Sequence, residues 1–242
     1  MAGRNVKTFA LAGILTLLLF SCIYAVNLYM NQQRESKVQN DMDSIIEDIE
    51  DIEASYYLMN YLESRNGSCD SMISQLNYLE SRLWKFDEKI RNYKAAQEDF
   101  TGDEFYVMEK RRLNRREIIQ LSLLGRMKQA CGYNQTIILY FYGNCSRVQN
   151  CGEQGFVLSY INQKIDSEIS ILSFDGDRDV EVVNTLMKAY NVTDYPCLVI
   201  ENSTYCGLRD KGEVERLLCD NSPNLSICQR DANGTVEVRP GQ

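Results

Sequence analysis

The chain has 242 residues, a formal net charge of −8 and a sequence pI of about 4.8. This acidic balance argues against a nucleic-acid partner, because phosphate backbones favour basic surfaces. The sequence contains no histidine, which excludes histidine-based triads, His-ligated metal sites and histidine pH switches. No other residue pattern indicates a metal or a cofactor, and we expect neither.

An uncharged, mostly apolar stretch covers residues 8–30. A helix of about 20 apolar residues matches the hydrocarbon core of a bilayer, at about 1.5 Å per residue. The alternative is a cleaved signal peptide, whose apolar core is usually roughly 7–15 residues long and ends at small residues. This stretch is longer and ends in bulky side chains. It therefore favours an uncleaved, single-pass membrane anchor over residues 1–30.

The flanking residues predict the orientation of this anchor. Arg4 and Lys7 precede the apolar stretch, and the positive-inside rule places that end in the cytoplasm and the rest of the chain outside it. Of nine cysteines, all but Cys22 follow the stretch, and the resulting even number suits an oxidising compartment. Seven N-x-S/T glycosylation sequons also follow it, at Asn66, Asn134, Asn144, Asn191, Asn202, Asn224 and Asn233.

The region 31–131 is predicted to be helical. Two runs of apolar residues have the alternating three- and four-residue spacing of coiled-coil helices, and a Gly67 turn separates them. They are Ile45, Ile49, Ile52, Tyr56 and Met59, and then Leu76, Leu79, Leu83, Phe86, Ile90 and Tyr93. A third helix is expected at about 103–130. The region is interpreted as a stalk or spacer, or as a coiled coil that self-associates or binds a partner.

The third predicted helix carries a basic cluster, Lys110, Arg111, Arg112, Arg115 and Arg116. A charge run of this kind normally forms a solvated helix face. Since the first two helices are acidic, the same cluster could also contact them. Both interpretations are open from the sequence.

A change of composition marks the start of an α/β domain at 132–219, followed by a polar tail at 220–242 that we expect to lack regular structure. The predicted order is βαβαββα, and the helix between the first two strands implies that these strands are parallel. The predicted strands are 136–142, 168–174, 197–200 and 204–208, and the predicted helices are 151–164, 179–190 and 211–219.

The segment 190–202, YNVTDYPCLVIEN, carries Pro196 at the start of a predicted strand. A helix end, a short turn, Tyr-Pro, an apolar strand and an Asn turn together resemble the proline region of the thioredoxin superfamily. The resemblance covers about 134–219 and implies a thioredoxin-like fold in which Pro196 is cis and faces the active-site cysteines. The layout also resembles membrane-anchored archaeal proteins that have a C-terminal thioredoxin-like domain.

Enzymes of this superfamily use a C-x-x-C pair where a strand turns into a helix, because the helix N-terminus lowers the pKa of the first thiol. Here the pair at that place is Cys145 and Cys151, with C-x₅-C spacing. Tyr140 stands where many thioredoxins keep a buried acid. The pair is interpreted as redox-active, as a static disulfide, or as free or differently paired thiols.

Two capping boxes predict different starts for the helix that follows this loop. Ser146-x-x-Gln149 leaves Cys145 just outside the helix. Asn150-x-x-Glu153 places Cys151 in the first turn, which makes it the attacking thiol and Cys145 the resolving one.

The resemblance also suggests roles for the other six cysteines. In the thioredoxin register the hairpin cysteines face each other, although the one after the proline could instead point at the cysteine loop. The next two flank a proline-containing loop, and the last two would tie the helical region to the α/β domain. These candidate structural disulfides are Cys197 with Cys206, Cys219 with Cys228, and Cys69 with Cys131.

The leading functional hypothesis is thiol–disulfide exchange on exported proteins, with Cys145 and Cys151 as the pair and Pro196 shaping the binding groove. The partners would then be the membrane and exported protein thiols. The rival is a non-catalytic thioredoxin-like module that binds or assembles a protein partner. A purely structural surface stalk is the third hypothesis.

Overall fold

The computed structural model describes residues 2–62, 68–95, 104–143 and 151–228. The chain divides into two units, Met1–Asp43 and Ser44–Gln242. In the first unit the chain is helical, and its large apolar side chains from Phe9 to Met30 are exposed. In the described part of the chain, this helix alone is long and apolar enough to cross a membrane, a test that a signal sequence also passes.

Three long helices precede the sheet: α1 (Ala2–Leu62), α2 (Ser68–Ala95) and α3 (Glu104–Cys131). The helical prediction for this region is therefore confirmed, while self-association and a coiled coil stay predictions. In the second unit the predicted apolar repeats form buried helix faces, at Ile45, Ile49, Ile52, Leu76, Leu79, Leu83, Phe86 and Ile90. The side chains of Met59 and Tyr93 lie outside the described part. An ion pair between Asp48 and Arg82 joins α1 to α2.

The α/β part has the predicted order βαβαββα, with element bounds that differ from the predicted ones by at most two residues. Its elements are β1 (Thr136–Tyr142), α4 (Cys151–Ile165), β2 (Ile169–Asp175), α5 (Glu181–Ala189), β3 (Cys197–Ile200), β4 (Ser203–Cys206) and α6 (Lys211–Asn221). Short 3₁₀ helices cover Asp166–Glu168, Gly176–Arg178 and Ser226–Cys228.

The four strands form one sheet in the order β2-β1-β3-β4. β1 and β2 are parallel, as predicted, because α4 returns the chain to the same end of the sheet. β3 is antiparallel to both β1 and β4. The Tyr195–Pro196 peptide bond is cis, and Pro196 sits directly before β3, where its missing N–H costs no ladder hydrogen bond.

One face of the sheet packs against α4 and α6. Alternate residues of β1, such as Ile138 and Tyr140, join Leu158 of α4 and Leu218 of α6 in a buried apolar cluster. The residues between them point to the other face, where Phe141 stacks on Phe174 with ring centroids 5.4 Å apart. α3 packs against β2 and α5. This alternation is what the two-residue period of a strand requires when both faces are buried.

Regular structure continues further along the chain than the tail prediction allowed. α6 extends to Asn221, and the 3₁₀ helix Ser226–Cys228 follows it. The Cys219–Cys228 disulfide holds this segment against α6, and Leu225 is buried. The expectation of an irregular chain from residue 220 is therefore wrong up to Cys228, because a covalent link and one apolar side chain anchor a polar segment. Residues 229–242 lie outside the described part.

Four of the predicted sequons lie in the described part of the chain, and their asparagines are exposed: Asn134, Asn191, Asn202 and Asn224. Asn66, Asn144 and Asn233 lie outside it. The exposed positions are sterically open to a glycan, and glycosylation stays a prediction.

Candidate functional site

Two of the predicted redox residues, Cys145 and Cys151, follow β1 in the sequence. The chain leaves β1 at Tyr142, and Cys145 lies in the segment 144–150, outside the described residues. The next described residue is Cys151, the first of α4; its side chain is not described. Cys197 pairs with Phe141 across the β1–β3 ladder, so Pro196 lies beside the end of β1. Because the candidate caps extend into residues 146–150, the choice between the two helix starts stays a prediction.

Two glycines allow the side chain of Tyr195 to lie beside this strand end. A Cβ atom added at Gly143 would come within 2.7 Å of the Tyr195 ring, and one at Gly176 would clash with the same side chain. The Tyr195 hydroxyl donates to the Met187 sulfur at 3.7 Å. A side chain at position 143 or 176 would therefore collide with the Tyr195 side chain, which lies beside the chain segments that follow β1 and β2.

The structure joins the six remaining cysteines in the pairs that the resemblance suggested. Cys197 and Cys206 are directly opposite in the β3–β4 ladder and form a disulfide, so Cys197 does not reach towards the cysteine loop. The other two disulfides are Cys69–Cys131 and Cys219–Cys228. Among the cysteines whose side chains are described, only Cys22 is free.

A buried ion pair lies next to the same end of β1. Lys110 of α3 is 1% exposed, and its Nζ donates to Asp87 of α2 at 2.5 Å and to the Tyr142 hydroxyl at 3.0 Å. The solvated-face interpretation is therefore wrong for Lys110, although Arg111 and Arg115 are exposed. Burial alone would lower the pKa of Lys110, but Asp87 and the nearby tyrosines raise it well above its ordinary value. The lysine therefore stays charged.

Polar side chains from the helical region cover the open edge of β2. Glu117 Oε1 accepts from the Ser173 N–H at 3.1 Å, and Asn114 exchanges two hydrogen bonds with the backbone of Asp175. Glu80 accepts a hydrogen bond from the backbone of Ile171. Since alternate N–H groups of an edge strand are unpaired within its sheet, these side chains take the place of a neighbouring strand.

Burial changes the acidity of two of these groups. It raises the pKa of Glu80 to about 7, and repulsion from Asp166 acts in the same direction. Burial raises the pKa of Glu117 well above its ordinary value, and repulsion from Asp87 adds to the effect. At neutral pH, Glu80 is therefore close to half ionised.

The raised pKa of Glu80 predicts a pH-dependent stability. From its ordinary value of 4.5 up to about 7, the folded state binds more protons at Glu80 than the unfolded state, so stability falls as pH rises through that window. Glu80→Gln does not titrate there. From pH 4.5 to pH 8, the free energy of unfolding of Glu80→Gln should therefore fall by about 2–3 kcal/mol less than that of the wild type.

Urea unfolding across this pH range measures the difference. Glu181→Gln changes an exposed acid of α5 and should follow the wild-type curve. Parallel curves for wild type and Glu80→Gln would contradict the assignment.

The sequence did not reveal this polar layer, although one signal was present. Lys110, Asn114 and Glu117 follow one another at four- and three-residue spacing, which places them on one face of α3. A helix with a polar stripe normally turns that stripe to water. Here it faces the edge of β2 and Asp87, and only the tertiary arrangement supplies those partners.

Comparison with known proteins gives partial likenesses. No protein-family model and no curated protein matches the chain. Among solved structures, the germline-specific thioredoxin Deadhead of Drosophila melanogaster is 18% identical, with a TM-score of 0.31, over 41% of this chain and 92% of that chain. The first thioredoxin domain of a mouse protein disulfide-isomerase is 20% identical, with a TM-score of 0.27, over 49% of this chain and 81% of that chain.

A malarial protein is 16% identical, with a TM-score of 0.32, over 37% of this chain and 99% of that chain. Structural neighbours of this chain thus include thioredoxin domains. Each TM-score is below 0.5, so the fold is judged from the strand order and register given above.

Proposed function

We propose that this protein is a membrane-anchored, extracytoplasmic thioredoxin-like oxidoreductase that exchanges disulfides with exported proteins through Cys145 and Cys151. One observation carries the proposal: Pro196 lies beside the carboxyl end of β1, where the chain enters the segment with Cys145. The described residues of α4 then begin at Cys151. A helix N-terminus stabilises a thiolate, so Cys151 is the attacking thiol in this proposal.

The exchange step follows ordinary thiol–disulfide chemistry. The Cys151 thiolate attacks one sulfur of a client disulfide, forms a mixed disulfide and releases the other client sulfur as a thiolate. Cys145 then attacks the Cys151 sulfur, which frees the second client thiol and leaves Cys145 and Cys151 oxidised. Pro196 shapes the groove that holds the extended client segment beside β3.

A trapping experiment tests the proposal. In a Cys22→Ser background, which removes the free cysteine of the apolar helix, Cys145→Ser should accumulate a mixed disulfide with an exported client, because the resolving thiol is missing. Reduction should cleave the adduct and release the client. Before reduction, the adduct should stay with the membrane fraction after a carbonate wash. Cys145→Ser/Cys151→Ser is the matched control and should trap nothing.

Other outcomes point to the rival hypotheses. Adducts only in Cys151→Ser would reverse the two roles. A folded protein that traps no client in either single mutant would favour the non-catalytic binding module. Release of the adduct by the carbonate wash would contradict the membrane anchor while leaving the thiol chemistry intact.

A further inference from the structure

A cavity of about 290 Å³ lies where α2 and α3 meet β2 and the 3₁₀ helix Asp166–Glu168. Its lining is rich in carboxyl groups and contains one cation, Lys85, which is exposed. The carboxyl groups are those of Glu80, Asp87, Glu117 and Asp166. None of these residues takes part in the thiol chemistry proposed above.

The cavity has an exposed side and a buried side. Asp166 and Ser167 are exposed, whereas Asp87, Glu117 and Gln120 are at most 8% exposed. A ligand that entered past Asp166 would therefore reach a buried inner wall that carries carboxyl groups. Leu83 and Ile171 supply apolar surface along the way.

Glu117 on the inner wall has an unused hydrogen-bonding atom. Its Oε1 accepts from the Ser173 N–H, but its buried Oε2 has no hydrogen-bond partner among the described residues. Glu117 is 5% exposed. A buried polar atom without a partner is unfavourable for the fold, so this oxygen favours a ligand that donates a hydrogen bond to it.

The surrounding charges indicate which donor fits. Lys110 already neutralises Asp87, while Glu117 forms no ion pair with any described residue. Within the described residues, no group of three or more His, Cys, Asp or Glu side chains could hold a metal ion. Trp84 also lines the cavity, and indole rings attract organic cations.

We propose that this cavity binds a small organic cation through a primary ammonium group, with Glu117 as the counter-ion. The ammonium group donates to the unpartnered Oε2 of Glu117, and the organic part of the cation contacts the apolar lining at Leu83. The bound cation favours the ionised form of Glu117, so cation binding is coupled to loss of the proton of this carboxyl group. The groups that influence this ionisation are Asp87 and Lys110 beside Glu117, and Glu80 and Asp166 further along the wall.

The chain provides its own reporter for this site. Trp84 is the single tryptophan of the sequence. Titration of the full-length protein with n-butylamine hydrochloride or 1,4-diaminobutane dihydrochloride should change its fluorescence saturably. Binding should be tighter at pH 8 than at pH 6, because Glu117 loses its proton more easily at the higher pH.

Glu117→Gln should weaken binding at least about 10-fold, because the amide keeps an acceptor for Ser173 but lacks the charge. Glu181→Gln, an exposed acid of α5, is the matched control and should bind as the wild type does. Calorimetry of the wild type in two buffers of different ionisation enthalpy should show proton release on binding at pH 7. This last measurement needs no variant to fold.

Three results would overturn the proposal. The first is an unsaturable response to both amines, or binding without proton release. The second is equal binding of neutral 1-butanol, which would indicate a merely apolar cavity. The third is that Mg²⁺ or Ca²⁺ binds more tightly than the amines and that Glu117→Gln weakens binding of the metal ion. That result would indicate an inorganic cation site.

Discussion

Replacing Lys110 with Met should lower the free energy of unfolding by about 3–5 kcal/mol, which is the usual effect of removing one partner of a buried ion pair. Lys110 is 1% exposed and its Nζ lies 2.5 Å from Asp87 Oδ1. Without that charge, Asp87 stays buried close to Glu117, and the Tyr142 hydroxyl loses its hydrogen-bond donor. Chemical denaturation at neutral pH measures the loss.

Two further variants distinguish the effect of breaking a buried ion pair from the effect of losing any one charge. Lys128→Met removes an ion pair with Glu201 whose side chains are about a third exposed, and it should cost at most about 1 kcal/mol. Lys110→Met/Asp87→Leu replaces both buried charges and should recover much of the lost stability, since apolar substitutes for a buried pair are often neutral. An effect of Lys110→Met no larger than that of Lys128→Met would contradict the buried pair.

Loss of the Cys69–Cys131 disulfide should be the other large effect. The bond joins the start of α2 to the end of α3 across a sequence separation of 62 residues. In the chain-entropy view, opening a loop of that size destabilises the folded state by about 4 kcal/mol, because the unfolded chain gains freedom. The double variant Cys69→Ala/Cys131→Ala should therefore have a markedly lower unfolding midpoint than the oxidised wild type.

The shorter disulfide provides a matched comparison. Cys219 and Cys228 are separated by 9 residues, so the same reasoning gives about 2.5 kcal/mol for Cys219→Ala/Cys228→Ala. Both double variants remove two cysteines from the same protein, so only loop length and location differ. A larger loss from the shorter loop would show that native packing, and not unfolded-chain entropy, sets the contribution of these bonds.

Local patterns were sufficient to predict the order of the elements along the chain. The β-branched run 136–142, the proline at the entrance of the strand 197–200 and the helix-length crossover predicted the strands and the parallel β1–β2 pair, while the order of the strands in the sheet comes from the structure. These features depend on backbone preferences and on the two-residue period of strands, and both can be read within a few residues. The predicted helices of 31–131 rest in the same way on apolar spacing.

The polar contacts between the helical region and the sheet could not be predicted from local patterns. From the sequence alone, Lys110 belongs to a basic run, and Glu80 and Glu117 are ordinary helix carboxyls. The structure buries all three against the edge of β2 and the end of β1. Their partners lie at least 23 residues away in sequence.

The sequence by itself therefore determined the order of the elements, the strand that Pro196 opens and the apolar helix faces, because each depends on neighbouring residues. Only the tertiary structure decided which polar side chains are buried, that Lys110 is charged and paired, and that a cavity with an unpartnered Glu117 oxygen exists. The physical reason is that desolvation and ion pairing depend on which distant groups surround a side chain, and a local pattern does not contain that information.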